Sequence, residues 1–244
     1  MVKKKKEKKN HLLEKVTDIF KREETGKVLD LGCGNGDYSQ RLSSLGFDVT
    51  ATDLDTERFR YQDNFKFRAC DITKGLPFDN ESFDYILLLE VVEHLKNPYF
   101  VFSEILRVLK KDGVFILSTP NILNIKSRLR YLAEGAYEFF REPPLDQLQN
   151  PKEKVFNLHI APYRYHELEY LLGATGFKIK QIFTSVYEDQ LLGIFWPFIK
   201  LQAFFKQNRA LKKGGLDYSR IHKVLLSREL LFGRHLILKA IKNV

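Results

Sequence analysis

Cysteine is scarce in this chain of 244 residues, and the scarcity excludes two classes of small domain. Cys33 and Cys70 are too few for a disulfide framework, and neither lies in a Cys-x-x-Cys or Cys/His cluster that would hold structural zinc. We therefore expect a reducing compartment and an ordinary hydrophobic core. With 44% apolar residues, the composition is sufficient for one large α/β domain with insertions.

Long apolar runs are also lacking. The opening sequence MVKKKKEKKN has basic charge without the apolar segment of a secretory leader, which predicts a cytoplasmic protein. The apolar stretch at residues 191–199 is too short to span a bilayer, and Lys200 follows it. We predict a basic disordered tail over residues 1–10 and a single domain over residues 11–244.

Positive charge is concentrated at the two ends of the chain. The net charge is +9, and residues 1–10 alone contain six lysines and one glutamate. Residues 196–244 contain eleven Lys or Arg and two Asp or Glu, which leaves the long middle part net acidic. Basic ends on an acidic body favour docking against an anionic partner.

From residue 27 onward, short apolar runs alternate with amphipathic stretches. This alternation indicates a doubly wound α/β fold with a mostly parallel sheet and right-handed crossovers. A helix at residues 11–22, with apolar residues three and four apart, precedes the sheet. The predicted strands read VLDL, DVTATD, FRACD, FDYILLLE and GVFILSTP, and the longer helices between them read SQRLSSLG and FVFSEILRVLKK.

The second half of the chain departs from this rhythm. Residues 121–158 are mixed in character and contain three prolines, which favours a cap over a site. Residues 165–174 are predicted to form a helix, and the last two strands read FKIKQIFTS and FGRHLILKAIK. Between those strands, residues 188–228 form an insertion of apolar and basic composition.

The sequence VLDLGCGNG, residues 28–36, is a buried-strand pattern that opens into a glycine-rich turn. Glycines are needed there because a Cβ would block the approach of a ligand to the backbone. The turn follows the carboxyl end of the first strand, where doubly wound sheets bind their ligands. Asp53 ends the second strand, about twenty residues downstream, where a carboxylate can accept hydrogen bonds from ribose hydroxyls.

The spacing of the glycines separates two kinds of nucleoside ligand. A dinucleotide fingerprint requires Gly-x-Gly-x-x-Gly, whereas this chain has Gly-x-Gly-x-Gly with Asp37 in place of the third glycine of that pattern. An acidic residue near a pyrophosphate would repel it. A cationic sulfonium without phosphates is compatible with both Asp30 and Asp37.

These motifs resemble those of the class I S-adenosylmethionine-dependent methyltransferases. VLDLGCGNG, the TD that ends the second strand, CD after the third, FDYILLLEVVEHL and LKKDGVFILSTPN occur in the family's order. Within the family, the chain is most similar to the ubiquinone-pathway O-methyltransferases. The resemblance implies a seven-stranded Rossmann-like sheet with an antiparallel last strand, and it places the insertion at the edge where the cofactor binds.

The resemblance also implies S-adenosylmethionine as the cofactor and residues for each of its parts. Gly32, Gly34 and Asn35 would surround its amino-acid moiety. Asp53 would bind the ribose, and Asp71 would bind the adenine amino group, with a turn-capping role as the alternative for Asp71. The expected cofactor-binding residues are Asp30, Gly32, Gly34, Asn35, Asp53, Leu54, Asp71, Ile72 and Leu89.

Polar residues follow the fourth strand in the sequence EVVEH, and Glu93, His94 and His159 are the candidate catalytic residues. Some members of the resembling family bind a divalent metal through Glu-x-x-Glu-His and a downstream histidine. The matching residues here are Glu90, Glu93, His94 and His159. A metal on them could lower the pKa of a substrate hydroxyl. The favoured interpretation has no metal, and one of the three candidate residues acts as the base.

The insertion combines aromatic and basic residues, as in a segment that lies among lipid headgroups. The alternative is a lid helix whose apolar face packs on the domain. The same charges could follow a nucleic-acid backbone, although the chain has no recognised RNA-binding module. The residues in question are Trp196, Phe198, Phe204, Phe205, Lys206, Arg209, Lys212 and Lys213.

The favoured function is S-adenosylmethionine-dependent O-methylation of a small-molecule or lipid-linked acceptor, with peripheral membrane contact as an option. The alternatives are an RNA methyltransferase, which would use the basic ends, and a non-catalytic S-adenosylmethionine-binding protein. A nicotinamide-dependent oxidoreductase is disfavoured by the glycine spacing.

Overall fold

The computed structural model describes residues 10–61, 66–140, 159, 161–188, 190–212 and 219–243. The predicted tail, apart from Asn10, and residues 141–158 of the predicted cap lie outside these ranges. The helices are α1 His11–Phe20, α2 Asp37–Ser43, α3 Pro98–Val108, α4 Ile125–Glu134, α5 Tyr165–Ala174, α6 Trp196–Lys212, α7 Ser219–Leu225 and α8 Arg228–Phe232. The strands are β1 Lys27–Leu31, β2 Asp48–Asp53, β3 Lys66–Ala69, β4 Phe83–Leu89, β5 Leu109–Pro120, β6 Phe177–Phe183 and β7 His235–Lys242.

The seven strands form one sheet in the order β3-β2-β1-β4-β5-β7-β6. The pairs from β3 to β5 are all parallel, and β7 is antiparallel to both of its neighbours. The carboxyl ends of β1, β2, β4, β5 and β6 therefore lie at one edge, and β7 begins at that edge. This arrangement confirms the predicted doubly wound sheet with an antiparallel last strand.

Alternate residues of the central strands pack on opposite faces of the sheet. Leu29 and Ile86 belong to a cluster that includes Phe102 of α3 and residues of α5, whereas Val28 and Leu87 pack with residues of α1 and α2. Strands buried on both faces read as continuous apolar runs, as FDYILLL does here. Helices cover both faces, so the core consists of two layers.

Asparagine side chains fix where three helices begin. Asn10 Oδ1 accepts a hydrogen bond from Leu13 N, and Asn97 and Asn124 cap α3 and α4 in the same way. Pro98 occupies the first turn of α3, where a missing N–H costs nothing. The predicted helix at residues 100–111 therefore begins earlier, and it ends at Val108 because β5 starts at once with Leu109 pairing to Phe83.

The connection between β6 and β7 leaves the sheet and returns to the same place. Tyr187 and Gly233 form an antiparallel bridge, Glu188 N donates to Phe232 O at 2.7 Å, and Arg234 N donates to Val186 O at 3.0 Å. The excursion between these ends contains α6, α7 and α8. In the described part of the chain, no helix is both long enough and apolar enough to cross a membrane.

Candidate active site

The glycine-rich turn after β1 has three glycines with left-handed torsions, and they serve different purposes. A Cβ on Gly32 would lie 2.7 Å from the Val91 side chain, and one on Gly36 would lie 2.6 Å from the Phe59 ring. Gly34 has a φ of +56°, and apart from Gly34 itself and its two chain neighbours no atom lies within 4 Å of where a Cβ would be. The two outer glycines allow close packing, whereas Gly34 presents bare backbone to open space.

Asp53 ties the end of β2 to this turn. Its Oδ2 accepts a hydrogen bond from Gly34 N at 2.7 Å, and its Oδ1 accepts one from Asp55 N at 2.8 Å. An ionised carboxylate has about four acceptor positions, so half-buried Asp53 can accept further hydrogen bonds. Leu54, which follows it, is 56% exposed at the same edge. An apolar surface and a carboxylate therefore border the bare backbone.

Asp30 is the buried acid of the predicted cofactor site. It is 2% exposed, and Ser39 Oγ donates to its Oδ2 at 2.7 Å. Burial raises the pKa of Asp30 to about 6, and the negative charge of Asp53 adds to the shift. The neighbouring Asn35 donates to Asp37 Oδ2 at 2.8 Å and accepts from Asp37 N, which fixes the start of α2.

Asp71 caps a short turn in the structure. Its Oδ1 accepts hydrogen bonds from Thr73 N and Thr73 Oγ1, and its Oδ2 lies 3.1 Å from Lys74 Nζ. The capping role considered from the sequence is therefore present, and the adenine contact remains a prediction. Ile72 and Leu89 are buried in the core, each less than a tenth exposed.

Glu93, His94 and His159 come together at the end of β4. Glu93 and His94 belong to a short 3₁₀ turn, Val92–His94, and one ligand atom from each of the three residues lies within 4.8 Å of the other two. His159 Nε2 is 4.0 Å from Glu93 Oε1, and the two imidazole rings are 4.9 Å apart. The three predicted catalytic residues thus form one cluster. The sequence alone did not show how close they lie in space, because His159 is far from the other two along the chain.

Burial sets the charge state of this cluster. Glu93 is fully buried, and its Oε2 accepts a hydrogen bond from Thr119 Oγ1 at 3.1 Å. Its Oε1 has no hydrogen-bond partner among the residues that the structure describes. Burial raises the pKa of Glu93, and the negative charge of Glu90 raises it further. Burial also lowers the pKa of His159, with a smaller contribution from His94.

Glu90 does not join this cluster, contrary to the match with the metal-binding arrangement. It has a φ of +54°, and its Oε1 accepts a hydrogen bond from Ser118 Oγ at 2.7 Å. Its Oε2 lies 3.7 Å from His235 Nε2. The helical spacing that would align Glu90 with His94 is absent, because only residues 92–94 form a turn of 3₁₀ helix.

His235 and Ser185 are polar residues of the site that the sequence did not indicate. Ser185 Oγ is 2.6 Å from His235 Nδ1, so the imidazole lies between a hydroxyl and the Glu90 carboxyl. Burial lowers the pKa of His235 to about 4. A signal did exist: an antiparallel last strand must begin at the ligand edge, and His235 is its first residue.

The donor set of the cluster is suited in kind to a divalent metal. One carboxylate and two imidazoles are common ligands of first-row transition metals. Glu93 Oε1 has no hydrogen-bond partner among the described residues and could therefore serve as a ligand atom. When bound, a metal would act as a Lewis acid on a substrate oxygen. Glu93, His94 and His159 would hold it, and metal binding remains a prediction.

A wide depression of about 410 Å³ lies at the opposite edge of the sheet. None of the predicted cofactor or catalytic residues lines it. In doubly wound sheets, ligands bind at the carboxyl edge, so this depression does not alter the position of the site. Its lining includes Lys27, Asp48, Lys66, Arg68 and Phe78.

Residues 29–117 match the family described as "Methyltransferase domain", a range that spans the glycine turn, Asp53, Asp71 and the Glu93 turn. This match supports the resemblance of the chain to the class I S-adenosylmethionine-dependent methyltransferases. S-adenosylmethionine is the cofactor that this family implies. The crevice fits it, because Gly34 leaves room for a ligand, Asp53 retains acceptor positions, and the buried Asp30 favours a cation nearby.

Curated methyltransferases with related sequences carry a more specific name. The chain is 26% identical over 162 residues to the ubiquinone biosynthesis O-methyltransferase of Psychrobacter cryohalolentis, an alignment that covers 56% of this chain and 63% of that protein. It is 30% identical over 134 residues to the protein of that name from Glaesserella parasuis, covering 46% and 57%. The chain thus spans less than two thirds of the length of these relatives.

Solved methyltransferase structures share the fold over almost the whole chain. A SAM-dependent methyltransferase from Archaeoglobus fulgidus superposes with a TM-score of 0.59 over 94% of each chain, at 17% sequence identity. A likeness at this identity supports the fold alone.

Proposed function

We propose that this protein transfers the methyl group of S-adenosylmethionine to an oxygen atom of a small-molecule or lipid-linked acceptor. The observation that supports this proposal is the cluster of Glu93, His94 and His159 after β4, where the preceding Val91 packs against Gly32 of the glycine turn. An O-methyltransferase needs a group that takes the proton of the acceptor hydroxyl. The cluster supplies such groups next to the cofactor crevice.

When bound, the cofactor provides an electrophilic methyl group on a sulfonium. The acceptor oxygen forms a bond to the methyl carbon while the carbon–sulfur bond breaks, and the hydroxyl proton passes to the protein. His159 suits the role of acceptor for this proton, because its lowered pKa keeps the imidazole neutral at pH 7. Glu93 Oε1 lies 4.0 Å from His159 Nε2, and the positive charge of the imidazolium that forms would favour ionisation of this carboxyl, whose pKa burial raises to about 8.

The name shared by the two relatives supports an oxygen acceptor rather than a nitrogen acceptor. RNA is the weaker candidate, because the described side chains of residues 191–205 are mostly large, apolar and exposed.

The test is a methyl-transfer assay with isotope-labelled S-adenosylmethionine and a panel of phenols with and without an isoprenoid tail. We expect label in at least one phenol and none in total RNA. A protein that binds S-adenosylhomocysteine but labels no phenol would contradict the proposal and support a non-catalytic binding role. Labelled RNA would support the alternative acceptor.

A further inference from the structure

The excursion between β6 and β7 exposes an unusual amount of apolar surface. We define the apolar segment as residues 191–205, which comprise most of the 3₁₀ helix Gln190–Phe195 and the first part of α6. Large exposed patches of this kind on a soluble domain mark interaction sites. Its exposed side chains are Leu191 (95%), Ile194 (76%), Phe195 (40%), Trp196 (41%), Phe198 (75%), Leu201 (53%), Phe204 (59%) and Phe205 (62%).

This exposure decides between the two interpretations of the insertion. A lid helix would bury its apolar face on the domain, but Phe198, Leu201 and Phe205, which are spaced three and four residues apart, share a face that remains exposed. The segment is therefore available to a partner.

The charge of the surrounding chain indicates the chemistry of that partner. Residues 190–212 contain three lysines and one arginine and no acidic residue. Lys200 Nζ lies 3.7 Å from the centre of the Trp196 ring, so a cation accompanies the only tryptophan of the chain. A second copy of the segment would bring like charges together, which is unfavourable. An anionic surface with an apolar interior is complementary to it.

We infer that the apolar segment docks this protein on a lipid bilayer that carries anionic headgroups. Phe198, Leu201 and Phe205 enter the boundary between headgroups and acyl chains, and the basic residues remain at the headgroup level. Docking by this segment requires no membrane-spanning helix.

The position of the segment relates docking to the active site. Both ends of the excursion are joined by the Tyr187–Gly233 bridge, and His235, two residues after Gly233, lies with its Nε2 3.7 Å from Glu90 Oε2. A docked segment therefore holds the carboxyl edge of the sheet near the bilayer. If the proposed methyl transfer is correct, the acceptor is lipid-linked, and this further step rests on the proposed function.

The experiment uses the full chain and vesicles of phosphatidylcholine, either alone or with about one third phosphatidylglycerol. Trp196 is the only tryptophan, so its fluorescence reports on the segment without a label. We expect a blue shift and co-sedimentation with the anionic vesicles. Replacing Lys206, Arg209 and Lys212 by glutamine should weaken binding to those vesicles about fivefold per residue.

The double variant Phe198→Asp/Phe205→Asp should bind vesicles at least about tenfold more weakly. The matched control is Leu132→Asp, because Leu132 is 83% exposed on α4 outside the segment and should have no effect. Neither variant should change the affinity for S-adenosylhomocysteine. This separates a failure of docking from a failure of the proposed function.

Three results would overturn the inference. The first is the absence of any fluorescence shift or sedimentation with anionic vesicles. The second is unchanged vesicle binding by the double variant together with loss of binding after deletion of residues 1–9, which would assign binding to the tail. The third is that light scattering shows wild type to be a dimer and the double variant to be a monomer, while wild type does not bind vesicles. That result would assign the apolar face to self-association.

Discussion

Asp53 has two duties at the level of the single residue, because it holds the Gly34 amide and still has acceptor positions free. Asp53→Ala should weaken binding of S-adenosylhomocysteine by about tenfold or more, since it removes a charged hydrogen-bond acceptor. The control is Asp48→Ala, which alters an exposed acid at the other end of the same strand. Calorimetric titration of the three proteins is the measurement, and equal affinities would contradict the ribose assignment.

Asp30 makes stability depend on pH. Its folded-state pKa of about 6 lies above the ordinary value of 3.8, so the folded protein keeps a proton that the unfolded chain has lost. This contribution is fully present below pH 3.8 and is lost as pH rises through 6, at a cost of about 3 kcal/mol. Asp30→Asn should remove this dependence.

Urea denaturation of wild type and Asp30→Asn between pH 4 and 7 measures the effect. The difference in free energy of unfolding between the two proteins should change over this range in favour of the variant. Ser39→Ala should move the transition of the wild-type residue to higher pH, because the Ser39 hydroxyl favours the ionised form. Parallel pH profiles for wild type and Asp30→Asn would refute the assignment.

Glu93 and His159 act as a pair in the proposed reaction. His159→Asn should reduce the turnover number by roughly 10²–10⁴-fold because it removes the proposed proton acceptor, and Glu93→Gln should reduce it because it removes the ionisable carboxyl beside that imidazole. Binding of S-adenosylhomocysteine should stay unchanged, since neither residue lies at the glycine turn. Glu90→Gln is the comparison, and an equal or larger loss of turnover in that variant would move the base to the Glu90–His235 pair.

At the level of the element, two glycines of the turn after β1 have different roles, since Gly36 allows close packing and Gly34 leaves room for a ligand. Gly36→Ala should destabilise the protein by about 3 kcal/mol, because a Cβ at a left-handed φ would overlap the Phe59 ring. Gly34→Ala should cost only about 1 kcal/mol, the strain of its torsion, since its Cβ has open space. The cofactor affinity should nevertheless fall in Gly34→Ala.

Thermal unfolding and S-adenosylhomocysteine titration of the two alanine variants test this contrast. We expect Gly36→Ala to lose much of its stability. We expect Gly34→Ala to lose little stability but much of its affinity for S-adenosylhomocysteine. Equal stability losses, or full affinity in Gly34→Ala, would show that the turn does not present its backbone to the cofactor.

The elements differ in how far the sequence could predict them. β1, β4 and the glycine turn were predicted because a buried strand and its turn are set by residues close in sequence. The contacts of Glu90 were not predicted, because they depend on a 3₁₀ turn and on His235. His235 in turn contacts Ser185, which lies 50 residues away in sequence. Only the antiparallel course of β7 brings these groups together.

At the level of the whole molecule, the excursion and the sheet are largely independent. Replacing residues 191–212 by a short Gly-Ser linker should change the free energy of unfolding by about 1 kcal/mol or less, because loop length affects closure entropy only weakly. The buried residues Leu230 and Leu231 of α8 remain in that variant. Urea denaturation measures the effect, and a collapse of the folded state would show that the apolar segment belongs to the core.

The bridge between Tyr187 and Gly233 explains why the excursion can be independent of the sheet. The bridge holds the two ends of the excursion together at the carboxyl edge of the sheet. The residues between these ends can therefore vary in length and polarity without changing the residues of the proposed active site. An engineered exchange of these residues should therefore change whether the protein meets aqueous or lipid-borne acceptors, and the proposed methyl transfer should persist.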